Sequence, residues 1–170
     1  MRRTHSLRAA LALAAVLCAG IGPIAGAEAE AARPAVVRTT QPPSRERIAA
    51  LFDRWNAALR TGDAERVADL YARDAVLLPT VSSRIRTNRA GIVDYFEHFL
   101  LSKPVGRIQE RYINVLSDTA AVDTGLYRFT LTNEDGSTSH VDARYTFVYV
   151  LRGGRWLILN HHSSAVPAGD

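Results

Sequence analysis

The sequence predicts an α+β domain, three helices followed by a four-strand antiparallel meander. Two observations carry this. Residues 44–103 show apolar residues at helical spacing in three separately capped segments, and residues 107–164 show four strand-like runs separated by short turn signals at Asp118, Asn133–Gly136 and Gly153-Gly154. Helices that precede a meander, rather than alternating with strands, place the helices together on one face of the sheet.

The chain begins with Arg2, Arg3, His5 and Arg8, an apolar run from Ala9 to Ala19, and the small-residue stretch Ala25-Gly26-Ala27. This pattern predicts a secretory signal peptide over residues 1–27, with cleavage after Ala27 or after Ala29. The apolar run falls short of the roughly 20 residues that span a bilayer. Leu17 is bulkier than the small residue a lipoprotein signal places before its cysteine, here Cys18, and Arg2-Arg3 lacks the residues that follow a twin-arginine pair. Sec-type export to the periplasm or the medium is the expectation.

Removing that segment changes the meaning of the composition. The 170-residue chain has 21 basic and 17 acidic residues, a formal +4. Three of the arginines leave with the signal, and 18 basic residues face 17 acidic ones in what remains. A nearly neutral domain has no electrostatic case for a nucleic-acid partner, and none for a membrane once the signal is gone. The single cysteine, Cys18, leaves too, which excludes disulfides, thiolate metal sites and a cysteine nucleophile. A domain of this size buries roughly two thirds of its unfolded surface and holds itself with an ordinary core.

Residues 28–43, rich in Ala, Pro, Thr and Gln without periodicity, read as a disordered spacer, and the folded part as 44–167. Ser44 is the cap of a first helix whose apolar face is Ile48, Leu51, Phe52, Trp55, Ala58 and Leu59, ended by Thr61-Gly62. Asp63 caps a second helix carrying Ala64, Val67, Leu70 and Tyr71 and stopping near Asp74. Ala75–Leu78 before Pro79 is a short strand. Thr87 caps a third helix with Ile92, Tyr95, Phe96, Phe99 and Leu100 on one side. The remaining strands are expected at Arg107–Ser117, Thr119–Thr132, Ser137–Arg152 and Arg155–Ser164, the last pair joined by the Gly153-Gly154 hairpin.

Trp55-Asn56-Ala57-Ala58-Leu59, Gly62-Asp63, Tyr71-Ala72-Arg73-Asp74-Ala75 and Gly154-Arg155-Trp156-Leu157-Ile158 resemble the nuclear transport factor 2-like superfamily over about residues 45–167. Tyr145–Tyr149, Gly154-Arg155-Trp156 and Asn160–Pro167 resemble the association domain of calcium/calmodulin-dependent protein kinase II. Leu77–Ser82, Arg86-Thr87 and Asp94-Tyr95-Phe96 resemble its stand-alone bacterial, SnoaL-like relatives. The resemblance implies a cone-shaped domain, three N-terminal helices packed on a curved antiparallel sheet. A cavity would lie between the two layers, and a homodimer or larger oligomer would form through the outer sheet face. It does not imply kinase activity, because the chain has no Gly-rich nucleotide loop and no catalytic loop. The kinase association domain lines its pocket with arginines that accept carboxylates. Leu126–Thr130 matches the segment carrying one of them, so Arg128 is the carry-over. The other two positions are Phe147 and Ser163 here, which suits a smaller or less charged ligand.

The site residues follow. Arg128 shares strand parity with Val122, Thr124, Leu126 and Thr130, and an arginine on so apolar a face wants a carboxylate, from a ligand or from a salt bridge. His161 and His162 look like a metal pair, but successive strand side chains point to opposite faces, so they cannot chelate one ion and no metal site is expected. One faces the cavity and the other faces out; His161 shares parity with Leu157, Leu159 and Ser163, and His162 with Trp156, Ile158 and Asn160. Tyr71 and Asp74, i and i+3 at the end of the second helix, are candidates for oxyanion donor and proton shuttle. Arg84, Arg86 and Arg89 form either a steering patch at the cavity mouth or a solvated loop.

Two readings stand. The first is a non-catalytic, self-associating domain binding a small organic ligand, anionic or neutral, through Arg128, His161, Ser163 and Phe147. The second is a cyclase- or isomerase-type enzyme drawing acid and base from Tyr71, Asp74, His161 or His162. No dinucleotide fingerprint is present, and neither reading calls for a cofactor.

Overall fold

The structure is a computed structural model that describes residues 41–167. The signal-peptide reading of residues 1–27 and the spacer reading as far as residue 40 lie outside the described residues.

Ser44 opens α1 (Arg45–Leu59) by accepting a hydrogen bond from the Arg47 amide at 3.2 Å. The apolar stripe of α1 is buried as its spacing requires, with Ile48, Leu51, Phe52, Trp55 and Leu59 all in the core. Asp63 caps α2 (Ala64–Ala68), accepting from the amides of Glu65 and Arg66. This helix is shorter than its periodicity suggests. The Ile158 amide donates to the Leu70 carbonyl at 2.8 Å and draws the chain into β1 (Tyr71–Leu78). Tyr71 and Asp74 are therefore strand residues and not neighbours on a helix.

After a loop, α3 (Arg89–Phe99) starts at Asn88 and not Thr87: the Asn88 side chain accepts from the Gly91 amide at 2.9 Å. A single 3₁₀ turn (Leu100–Ser102) leads to Lys103, whose φ of 44° breaks the helical run. Four strands follow: β2 (Val105–Val115), β3 (Ala120–Thr132), β4 (Thr138–Arg152) and β5 (Arg155–Ala165).

The sheet order is β1-β5-β4-β3-β2. The meander is antiparallel as expected, and β1 joins its far edge parallel to β5. Three register shifts interrupt the sheet: one in β1 between Tyr71 and Val76, one in β2 between Ile108 and Glu110, and one in β5 opposite Val148 and Tyr149, where Leu159 is the extra residue. The β2 bulge depends on Gly125 across from it. A Cβ there would lie 2.0 Å from the Glu110 carbonyl oxygen, so no side chain is admitted.

Helix α1 lies against the concave face, where Tyr127, Phe129, Tyr145, Phe147, Tyr149, Trp156 and Ile158 are buried. One side chain hydrogen-bonds the edge strand β2 to α1. Asn56, itself buried, donates from Nδ2 to the Gly106 carbonyl (2.8 Å) and accepts from the Gly106 amide at Oδ1 (2.9 Å), which satisfies both backbone groups that an edge strand leaves unpaired.

Candidate functional site

Between α1, α3 and the inner face of the sheet lies a cavity lined by aromatic rings, Trp55, Phe96, Phe99, Tyr127 and Phe129 among them, with Thr80, His161 and Ser163 as its polar side chains besides the tyrosines. None of its lining residues is an Asp, Glu, Lys or Arg. The cavity is small, with a volume of about 30 Å³. Val81, Tyr95, Phe99 and Leu131 form its rim and also line an adjoining open groove beside α3.

His161 and Ser163 reach this cavity because of the β5 bulge. Strict alternation would put His161 on the face of Leu157 and Leu159. With Leu159 as the extra residue, the side chains of Trp156 and Ile158 before it and of His161 and Ser163 after it are all buried. The parity grouping read along the sequence is corrected here: the histidines do point to opposite faces, but the inward one keeps company with Ile158 and not with Leu159.

The hydrogen bonding around His161 fixes its proton. The Trp55 indole, which can only donate, gives its Nε1–H to the Tyr71 hydroxyl oxygen at 3.2 Å. The Tyr71 hydroxyl lies 2.8 Å from His161 Nδ1. The buried Tyr71 proton has an acceptor only if Nδ1 is bare, so the ring is neutral and carries its proton on Nε2. Burial pushes the His161 pKa down to about 3, with neighbouring His162 adding in the same direction. Burial likewise pushes the Tyr71 hydroxyl well above the ordinary tyrosine range. His161 Nε2 is buried and has no hydrogen-bond partner among the described residues. The ring is held by Phe147, stacked at 4.1 Å between centroids, and by the edge of Trp55 at 5.2 Å.

Ser163 belongs to a chain of hydroxyls: Tyr127 donates to Ser163 Oγ, which is also hydrogen bonded to Thr80 Oγ1. Tyr127 is fully buried, and burial raises its hydroxyl above the ordinary range.

The other candidates lie elsewhere. Arg128 does not enter the cavity, contrary to its carry-over role. Tyr127 and Phe129 on either side are buried inward, so the pleat turns Arg128 to the outer face. There it makes two 2.7 Å hydrogen bonds to its cross-strand partner Asp142, so its carboxylate comes from a salt bridge and not from a ligand. Asp74 is exposed on β1 and paired with Arg152, which holds its carboxyl below the usual range. His162 lines a shallow outer groove with Glu110, Tyr112, Leu126 and Arg144. Phe147 supports the site from beneath the His161 ring and does not line the cavity. The three loop arginines divide: Arg86 is buried, bonded to the Gly91 and Arg84 carbonyls and paired with Asp94, while Arg89 pairs with Glu65 and Asp69. Arg84 stays exposed.

Three participants escaped the sequence reading. Trp55, Thr80 and Tyr127 complete the cavity's polar contacts; Tyr127 carried a signal in sharing strand parity with Phe129. Asp123, fully buried, accepts from the Tyr145 hydroxyl at 2.9 Å and lies 3.3 Å from Arg111 Nε. Burial raises its carboxyl above the usual range against the pull of Arg111. That cluster lies outside the cavity lining.

The family model for the calcium/calmodulin dependent protein kinase II association domain matches residues 44–167. A solved structure from Xanthomonas campestris, described as such an association domain, is 57% identical, with 76% of this chain and 91% of that one covered and a TM-score of 0.72. A nuclear transport factor 2-like superfamily protein from Salmonella enterica (18% identical, 74% and 92% covered, TM-score 0.64) shares the fold. So does a protein of that kind from Novosphingobium aromaticivorans (14%, 74% and 83%, TM-score 0.61). No curated protein matches the chain.

Proposed function

The chain belongs to the calcium/calmodulin dependent protein kinase II association domain family, and from that premise we propose that it is an exported, self-associating domain that binds a small organic ligand in its cone and has no kinase activity. One observation carries the binding half: His161 presents a buried, unpartnered Nε2–H among the residues that line an otherwise aromatic cavity. A buried donor without an acceptor costs roughly 1–3 kcal/mol, and a guest that accepts from it recovers that cost. Binding is favoured over acid/base catalysis because the four catalytic candidates do not converge. Tyr71 and His161 are bonded to each other, whereas Asp74 and His162 face outward. A histidine with a pKa near 3 is also a poor base at neutral pH.

For self-association the support is the outer sheet face. Val122, Leu126, Val148, Val150 and Leu157 are all half-buried there, an apolar surface of the kind monomers rarely leave open. Light scattering on the chain lacking residues 1–27 is expected to give a mass of at least a dimer; a monomer at high concentration defeats this half. For binding, Trp156→Phe leaves Trp55 as the reporter within 41–167, and small organic compounds are expected to perturb its fluorescence. If none in a broad panel does, the ligand reading fails. Export is tested by amino-terminal sequencing of protein recovered from the periplasm or medium, expected to begin at Glu28 or Glu30; retention of the intact chain in the cytoplasm refutes it.

A further inference from the structure

The polar groups of the cavity specify what the guest must be, given that the cavity is a ligand site. Counting protons makes this concrete. Tyr71 spends its only proton on His161 Nδ1, which leaves Nε2–H free. Tyr127 spends its proton on Ser163. Ser163 and Thr80 then share one hydrogen bond and hold two protons between them, so one hydroxyl hydrogen remains over. His161 and the Ser163–Thr80 pair therefore leave two donors over, and the Tyr95 hydroxyl at the rim can also donate, so a guest that satisfies this lining is an acceptor.

Charge narrows the class. Among the described residues no cationic side chain lines the cavity, since Arg128 is engaged outside with Asp142 and Arg86 is committed to Asp94 and the carbonyls of its own loop. Moving a carboxylate into such a site without a counter-charge is costly, whereas a neutral carbonyl oxygen uses the same donors without that penalty. Shape narrows it further. Trp55, Phe96, Phe99 and Phe129 meet one another edge to face or tilted, and walls of this kind favour a flat ring as guest. The cavity, about 30 Å³, is well below the roughly 150 Å³ that encloses a benzene ring, so only a compact ring is accommodated, and only as the rim of Val81, Tyr95, Phe99 and Leu131 gives way toward the adjoining groove.

We infer that the cavity takes a compact, neutral, ring-bearing molecule whose carbonyl-type oxygen accepts a hydrogen bond from His161 Nε2–H, and that it discriminates against carboxylates of the same size. This rests on the reading of the cavity as a ligand site, and the test separates the two. Three matched probes are titrated into the purified protein at pH 7: acetophenone, α-methylstyrene, which replaces the carbonyl oxygen by CH₂, and benzoate. Binding is followed by calorimetry and by the ¹H–¹⁵N resonance of the His161 Nε2–H.

The expected result is that acetophenone binds and shifts the Nε2–H resonance downfield, that α-methylstyrene leaves it in place, and that benzoate binds at least about tenfold more weakly than acetophenone. In His161→Phe the preference for the ketone over the alkene is expected to fall by about threefold to tenfold. If that variant does not fold, the wild-type resonance carries the test alone. Benzoate binding as tightly as acetophenone overturns the neutral class and leaves the ligand site standing. A ketone that binds without moving the Nε2–H resonance overturns the donor role of His161. If none of the three binds, the ligand-site reading falls and this inference with it.

Discussion

Asn56 offers the sharpest test of how the helix layer is held to the sheet. Its amide makes two hydrogen bonds to Gly106 at 2.8 and 2.9 Å, both buried, at the start of an edge strand with no further strand to pair with. Asn56→Ala removes both partners and leaves the Gly106 amide and carbonyl without them, at a position packed against the Phe52 and Phe129 rings. Each unsatisfied buried group costs about 1–3 kcal/mol, so a total near 3 kcal/mol is expected, with some relief as the strand end frays into water. For a domain of this length that corresponds to a fall in melting temperature of roughly 10 °C. Differential scanning calorimetry with a parallel urea titration measures it. Asn56→Asp is the control: it keeps the acceptor for the Gly106 amide but loses the donor and buries a charge. It should be most destabilised above pH 6 and recover as acid protonates the new carboxyl. A drop under 2 °C for Asn56→Ala would refute the claim that this side chain pins α1 to β2.

His161 makes stability depend on pH with a definite sign. Unfolded, its ring takes up a proton below about 6.5, and folded it stays neutral to about 3. The unfolded state binds more protons in that window, so the ring's contribution is complete above pH 6.5 and is lost at about 1.4 kcal/mol per pH unit as pH falls toward 3. The urea midpoint of wild type should fall relative to that of His161→Phe between pH 6.5 and 4.5, and parallel curves would contradict the buried neutral ring. Gly125→Ala forces a Cβ into the Glu110 carbonyl and should cost about 3 kcal/mol by guanidinium titration; a neutral result would mean that the β2 bulge does not pack as described. Arg128→Ala removes an exposed, salt-screened ion pair and should leave both melting temperature and cavity binding nearly unchanged. Loss of ligand binding in that variant would show that the arginine reaches the guest after all.

Local features were legible where local forces decide. The cap at Ser44 and the stripe Ile48, Leu51, Phe52, Trp55, Leu59 lie within one helix, and every member is where its spacing put it. Leu70 and Tyr71 continue the helical spacing of Val67 just as well, yet Leu70 lies in the turn and Tyr71 opens β1, because the Leu70 carbonyl bonds to the Ile158 amide, far away in sequence. Arg128 misled for a related reason. Its apolar companions Val122 and Leu126 read as a buried face, but the outer face of this sheet is apolar as well, and alternation cannot tell one such face from the other.

The order of elements, the antiparallel meander, the absence of disulfide chemistry among the described residues and the opposition of His161 to His162 all follow from residue types and from a period-two pleat, which act within a few residues. Which histidine faces inward, why Ser163 joins it and why Arg128 does not depend on a one-residue bulge at Leu159 and on the pairing of β3 with β4. A bulge shifts phase without altering composition, and hydrogen bonds such as Tyr71 to His161 span 90 positions. Their geometry exists only once the sheet has closed over the helices, which is why the chemistry of the cavity had to be read from the folded chain.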